Sequence, residues 1–448
     1  MKIKALSRPV ASQQAPGSAT VRQSRNLDPA QHPFERAREY TRALNAIKME
    51  RMFAAPFLGQ MGDGHIDGVY SMARDPLSLE RFASGSGDGV VKVWDLTTRE
   101  EIFQTQAHEG MVKGLEFLPA ERKLLSCASD KTIKLWDPYN TTSEAPPMTS
   151  YLGTSAFTSL SHHRSMPAFA AASSVISIYD LSRPSSSPSQ TLHWPTSVDT
   201  ITSVAFNQSE TSVLGSTALD RSVVLYDLRT SSPVHKLVLK LASNKITFNP
   251  QETFNFAVAN EDHNAYIFDM RKTDRALNVL KDHVAAVMDV EFSPTGEDLV
   301  TASYDRTVRL WSRQSGRSKD IYHTKRMQRV FAATFTPDSK YVLSGSDDGN
   351  VRLWRANASD RSGIVSARQR SKLEYDKALI KRYSHMPEIR RIQRQRHVPK
   401  PIKKAGEIKR EELAAIKRRE ENVRKHTSKK DLKPRMPERE KMILTREQ

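Results

Sequence analysis

One cysteine, Cys127, stands in the 448 residues. A lone thiol excludes a disulfide framework and a cysteine-based zinc site. The Asn-x-Ser/Thr triplets at Asn140, Asn207 and Asn357 therefore read as chance rather than as glycosylation signals. No stretch has the apolar length of a membrane span, and the first residues lack an apolar signal core. The expectation is a soluble intracellular protein that engages no membrane. The glycine-rich run from Gly85 to Gly89 is followed by neither a helix nor a phosphate-loop lysine, so it reads as a hairpin turn. No metal, cofactor or small-molecule substrate is expected.

Cations are abundant but unevenly placed. Lys and Arg number 69 against 51 acids, a net charge of +18. Residues 1–49 carry +6, residues 359–448 carry +15, and the stretch between carries −3. A near-neutral body with polycationic ends suggests protein docking by the body and nucleic-acid contact by the ends.

The body repeats itself. Seven segments end in an aromatic residue followed by an acid or its stand-in: Trp94-Asp95, Trp136-Asp137, Tyr179-Asp180, Tyr226-Asp227, Phe268-Asp269, Trp311-Ser312 and Trp354-Arg355. Successive aromatics are 42, 43, 47, 42, 43 and 43 residues apart. Each ending alternates, as in Val91-Lys92-Val93-Trp94, the period-two pattern of a strand. That period with that ending is the signature of four-stranded blades around an axis, so the expected fold is all-β, a seven-bladed WD-repeat β-propeller with a basic α-helical C-terminal extension.

An acid stands six residues before six of the aromatics: Asp88, Asp130, Asp220, Asp262, Asp305 and Asp348, with Ser173 the exception. Such an aspartate closes a tight turn through backbone amides. His65, His108 and His283 precede Asp88, Asp130 and Asp305 by 23, 22 and 22 residues. The WD-repeat resemblance implies that this histidine joins the turn acid to a strand hydroxyl (Ser84, Ser126 or Thr301) and to the indole of Trp94, Trp136 or Trp311; Ser344, Asp348 and Trp354 form the corresponding set in the last blade. Because the grouping recurs from blade to blade, it is a structural network and not a Ser/His/Asp catalytic site. Blades three to five, with Tyr or Phe for Trp and no histidine in place, should drop several members together. No enzymatic activity is expected.

Along the chain, residues 1–30 are too polar to build a core, and 33–50 form a short amphipathic helix opening on Pro33. Residues 51–58 then supply the fourth strand of the last blade, which otherwise stops at Trp354 with an open edge. The expected divisions are an N-terminal extension 1–50, a propeller 51–358 and a basic helical domain 359–448. The Ser/Pro-rich stretch 182–197 accounts for the one long spacing, and Trp194 within it reads as a loop anchor. Helices are expected over 371–385, 387–397 and 405–426, with Pro399 and Pro401 as breakers and pairs such as Glu420–Arg424 and Glu421–Lys425 along the third. The last twenty residues show little periodicity.

The second of these helices carries Arg390, Arg391, Arg394, Arg396 and His397 with Glu388 its sole acid. Arginine suits phosphate through its planar fork, and arginine on several faces suits folded RNA. Lys403, Lys404, Lys409, Arg410, Lys417, Arg418 and Arg419 extend the candidate RNA-binding set.

The segments 32–70 and 373–400 resemble those of the Sof protein family. That resemblance implies a scaffold of the small-subunit processome in the nucleus and nucleolus, acting in pre-rRNA processing with box C/D snoRNA, other processome proteins and ribosomal proteins. Relatives are also described as substrate receptors of a cullin–RING ubiquitin ligase, contacting its adaptor through blade endings of the W-D-x-R type. Here Asp227 with Arg229 and Asp269 with Arg271 are the matching pairs, although another aromatic replaces Trp in both. Pairing of each acid with its own arginine is the simpler reading.

Overall fold

The computed structural model describes residues 28–447 apart from 29, 121, 140–145, 183–186, 195–198, 361, 362, 364, 429–431 and 433. Residues 1–27, residues 183–186 and 195–197 of the Ser/Pro-rich stretch, and Asn140 lie outside the described residues.

Among the described residues, six of seven sheets have four antiparallel strands, and one has five. Blade one is built from Val69–Arg74, Arg81–Ser86, Val90–Asp95 and Glu101–Gln106 in spatial order. Its second strand is buried along nearly its whole length, which explains runs such as Ala83-Ser84-Gly85: small residues pass where both faces are covered. The core lies between neighbouring blades. Trp136 of blade two, for example, packs with Val91, Val93 and Phe103 of blade one.

The turn aspartates behave as their spacing predicts. Oδ1 of Asp88, Asp130, Asp220, Asp262, Asp305 and Asp348 accepts the amide two residues on, at 2.9–3.4 Å. The residue following each acid (Gly89, Lys131, Arg221, His263, Arg306 and Gly349) has positive φ, as a hairpin tip demands. At Gly89 a Cβ would overlap the carbonyl oxygen of His108, so glycine there serves close approach as well.

Closure occurs as expected, but further along the chain. The first helix, α1, runs Glu35–Met52 and takes in Arg51, and the closing strand is Phe57–Gln60. It pairs antiparallel with Val351–Arg355 through Phe57↔Trp354, Gly59↔Leu353 and Gln60↔Arg352. Pro56 falls just outside this ladder, where its missing N–H costs nothing. The strand was thus expected some residues early; helix propensity carries Arg51 and Met52.

The C-terminal region is divided between two compact units. Residues 28–56 and Asn357–His397 form one unit, and Phe57–Ala356 with Val398–Gln448 form another. In the first, α1 packs with α2, Ala367–Arg382, and α3, Pro387–Arg394, around Ala43, Ile47, Leu379 and Ile389. Buried Glu39 accepts from Arg382 and from the Tyr383 hydroxyl, each at 3.0 Å. Ser366 and Gln369 form a capping box at the start of α2.

The second unit holds the propeller and α4, Lys400–His426, whose N-cap is Pro399. α4 therefore starts at the expected proline break, but several residues before 405. The chain end is also more ordered than its composition suggests. Ile443–Glu447 adds a fifth strand to blade four beside Ser232–Leu239, and Met442 enters the core.

Candidate docking and nucleic-acid surfaces

The polar networks show what the propeller's histidines do. In blade two, His108 Nδ1 lies 2.9 Å from Asp130 and Nε2 lies 2.8 Å from Ser126 Oγ, which also accepts the Trp136 indole N–H at 2.9 Å. Blade six repeats this with His283, Asp305, Thr301 and Trp311 at 2.8, 2.6 and 2.8 Å. With Trp donating to the hydroxyl, the hydroxyl donates to Nε2 and Nδ1–H donates to the carboxylate. Burial pushes His108 and His283 below the ordinary histidine range, so both are neutral near pH 7. Burial alone would raise Asp305, but His283, Arg309 and Thr307 together hold it below the usual carboxylate range. Ser126 and Thr301 are fully enclosed, so neither hydroxyl is presented to a substrate.

Blade one departs from the full network. His65 Nε2 and the Trp94 indole both meet Ser84 Oγ, at 2.6 and 2.7 Å, but His65 Nδ1 is buried without a partner and does not reach Asp88. The His65 amide is fixed to the Gly349 carbonyl at 2.8 Å, which holds the ring on Ser84. Blade seven keeps Trp354 on Ser344 at 2.8 Å, while Arg352 takes the histidine's place on Asp348. In blades four and five, Lys236 and the Tyr266 hydroxyl respectively answer the turn acids Asp220 and Asp262. The sequence shows the networks of blades four and five to be degenerate but not what replaces them, and its expectation that His65 joins Asp88 in blade one is not met.

Trp194 is half-buried against the core of blades three and four, with Lys236 Nζ 5.6 Å from its ring centre, an anchor as expected. The acid–arginine pairs of blades four and five close on themselves. Arg229 grips Asp227 at 3.3 Å through two nitrogens, and Arg271 grips Asp269 at 3.1 and 3.0 Å. Both arginines remain largely exposed.

The cationic residues sort into three groups. On α3, Ile389 is buried and Ile392 half-buried, which turns Arg390, Arg391 and Arg394 outward. Glu388, the sole acid on that helix, accepts from the Tyr40 hydroxyl at 3.0 Å. The helix stops at Arg394, so Arg396 and His397 lie on the extended segment beyond it, and Arg396 bends back onto the carbonyls of Gln393 and Gln395. On α4, Lys403, Lys404, Arg410, Lys417, Arg418 and Arg419 are exposed. Lys409 is a correction: its Nζ donates to the His283 carbonyl at 2.7 Å, and burial lowers its pKa. It fastens α4 to blade six and is withdrawn from phosphate contact. Glu420 lies 3.4 Å from Lys441.

Two groups of cations escaped the sequence reading. Arg424 continues the seven-residue series Lys403, Arg410, Lys417 along one flank of α4. Arg36, Arg38, Arg42 and Lys48 cover the exposed side of α1, which shares a core with the arginine-bearing α3. The heptad spacing was readable in the sequence; the association of α1 with α3 was not. Among the described residues, no group of His, Cys, Asp and Glu is placed to hold a metal ion, and no helix is long and apolar enough to cross a membrane.

Comparison with known proteins agrees with this architecture. A family model described as Sof1-like domain matches residues 356–443, and the WD domain, G-beta repeat model matches 58–95, 99–137, 275–312 and 320–355. The WD matches fall on blades one, two, six and seven, leaving the three that lack the Trp. Protein SOF1 of Saccharomyces cerevisiae is 50% identical, covering 99% of this chain and 94% of its own. Protein sof1 of Schizosaccharomyces pombe is 52% identical, covering 99% of each. DDB1- and CUL4-associated factor 13 of Danio rerio is 42% identical over 94% of each. The solved WD40 propeller of Doa1 overlays with a TM-score of 0.57 at 18% identity, covering 67% of this chain and 97% of its own, a likeness of fold.

Proposed function

This chain belongs to the Sof1 family of WD-repeat proteins, and from that membership we propose that it is a non-catalytic scaffold of small-subunit ribosome assembly. In this reading it is a component of the small-subunit processome, nuclear and nucleolar, required for pre-rRNA processing. The propeller docks other processome and ribosomal proteins, and the helical unit contacts pre-rRNA or box C/D snoRNA. The observation that carries the RNA assignment is on α3. Three arginines point outward from a helix whose only carboxylate is already bonded to Tyr40. Arginines grouped on the exposed side of one helix suit phosphate through their planar forks.

The test is filter binding of the full-length protein to structured RNA over a salt series, beside rRNA processing in cells carrying the same substitutions. Each phosphate contact adds roughly 0.7–0.9 to the slope of log affinity against log salt. Changing Arg390, Arg391 and Arg394 to Ala should flatten that slope by about two, with similar losses for unrelated folded RNAs. Lys409→Ala should leave the slope alone, since its ammonium is spent on the propeller. An unchanged slope in the triple variant, with normal small-subunit rRNA, would make α3 a protein-docking element. The full chain is required because α3 shares its core with α1. The contribution of Lys429 and Lys430, expected to be minor, concerns positions outside the described residues.

A second reading, substrate receptor of a cullin–RING ligase, is favoured by relatives named DDB1- and CUL4-associated factor 13. It would use Arg229 and Arg271, which stay exposed while paired with Asp227 and Asp269. Purification with a cullin adaptor that is lost on changing both arginines to Ala would support it. Purification with pre-rRNA and snoRNA instead would support the scaffold.

A further inference from the structure

In blades seven, one and two, the second residue of the innermost strand is an extra one that the ladder skips. Val330↔Ser346 is followed by Ala332↔Gly345, Val69↔Ser86 by Ser71↔Gly85, and Val112↔Ala128 by Gly114↔Cys127. A bulge of this kind re-aims the extra side chain. Here it sets Phe331, Tyr70 and Lys113 at the mouth of the axial channel. Blades four to six carry Thr202, Asn244 and Met288 at the same place, so the aromatic pair forms where blade seven meets blade one.

Tyr70 stacks on Phe331 with ring centres 4.5 Å apart, and Tyr304 meets Phe331 edge-on at 5.7 Å. Tyr304 precedes the turn acid of blade six; its amide is held by the Ala286 carbonyl at 3.1 Å, and its side chain stays exposed. Cations stand at both ends of this row. Lys113 Nζ lies 5.1 Å from the ring centre of Tyr70, and the Arg329 guanidinium lies 5.4 Å from that of Tyr304. Arg306 occupies the adjoining hairpin tip with positive φ, and Lys325 and Arg326 share the loop that carries Arg329. The side chains of Arg306, Lys325, Arg326 and Arg329 are exposed and make no hydrogen bond or ion pair with any described residue. Asp67 and Asp347 are the acids beside the rings: burial and these two raise Tyr70, with Arg329 opposing. Five cations against two acids make this sector positive, although residues 50–358 together carry −3.

We propose that this row binds single-stranded RNA, with an unpaired base stacked on Tyr304 and the neighbouring phosphates held by Arg306, Arg326 and Arg329. Every base has a π-face, and rings interleaved with guanidinium groups offer stacking and phosphate contact together. An acidic protein segment would use the cations and leave the rings uncovered. Duplex RNA keeps its bases inside the helix and has nothing to lay on them. The site rests on the scaffold reading only in taking RNA as its ligand, and it shares no residue with the surface on α3.

The probe is a short oligouridylate with 2-aminopurine at its centre, titrated into the full-length protein and into the protein with Arg390, Arg391 and Arg394 changed to Ala. Stacking on a tyrosine quenches 2-aminopurine fluorescence, whereas phosphate contact on α3 does not. The expected result is saturable quenching in both proteins. Tyr304→Ala should lose the quenching and bind roughly tenfold more weakly, while Tyr304→Phe keeps both. Changing Arg306 and Arg329 to Ala should flatten the slope of log affinity against log salt by about 1.4. Undiminished quenching and affinity in Tyr304→Ala, or quenching that vanishes when α3 loses its arginines, would overturn the proposal. No quenching in any of these proteins would overturn it too, and would leave the row to a protein partner. Should Tyr304→Ala fail to fold, the exposed pair Arg306 and Arg329 carries the test, and an unchanged slope there counts against the site. Failure of the α3 assignment shows differently, as an unchanged slope in the α3 variant with the Tyr304 effect intact.

Discussion

Blades five and six are neighbours with the same four-strand plan, yet different chemistry holds their turns. In blade six the turn acid is joined through His283 and Thr301 to the Trp311 indole. In blade five the Tyr266 hydroxyl meets Asp262 directly, and the aromatic at the repeat ending is Phe268, which offers no donor. Asn260 fills the space beneath, bonding the Leu241 carbonyl at 2.9 Å and Ser243 at 3.2 Å. What must be met is the need of each buried polar group for a partner; the histidine motif is one way of meeting it. Blades can therefore lose the repeat signature without losing the fold.

The most severe test removes an edge and leaves both kinds of network untouched. Deleting residues 1–60 takes away Phe57–Gln60 and exposes Val351–Arg355, and should yield insoluble protein. Deleting 1–27 should not. Normal solubility and unchanged thermal unfolding after the longer deletion would show that the polar networks outweigh closure.

Next comes the network of blade six. His283→Ala leaves Asp305 and Thr301 without their partner and should cost roughly 1–3 kcal/mol in denaturant unfolding. A new hydrolytic defect in that variant with unaltered stability would instead revive the catalytic reading.

Acid should probe the same difference. His283 and Asp305 both have folded-state pKa values below their ordinary ones, so the unfolded chain takes up protons first as pH falls. Their contribution is full above the ordinary histidine value of 6.5 and declines from there down through the carboxylate range. The decline in stability should be shallower in His283→Ala. Equal acid slopes in the two proteins would remove this network as a source of pH dependence.

The mildest change is in blade five. Tyr266→Phe removes one hydroxyl and should cost about 1 kcal/mol, less than His283→Ala. A larger loss than at His283 would reverse the ranking of the two solutions.

Much of this molecule was legible because repetition makes the physics redundant. Seven endings at nearly constant spacing specify seven blades, and each acid six residues before the aromatic specifies a tight turn with a left-handed residue after it. Two complete histidine networks were readable from their spacing, whereas His65 falls short of Asp88 because backbone contacts from another blade fix its place. The closing strand was readable in kind, and only its position shifted, since the end of a helix depends on small balances of propensity and capping.

The sequence by itself determined the wheel, its closure by an N-terminal strand and the concentration of cations outside it. All three follow from local periodicity and composition. Tertiary structure decided which cations remain available and where the C-terminal region belongs. Lys409 became an anchor, Arg396 turned back on its own chain, and Ile443–Glu447 found an edge on blade four. Those outcomes depend on which distant carbonyls and strand edges still need a partner, and chain position does not record that.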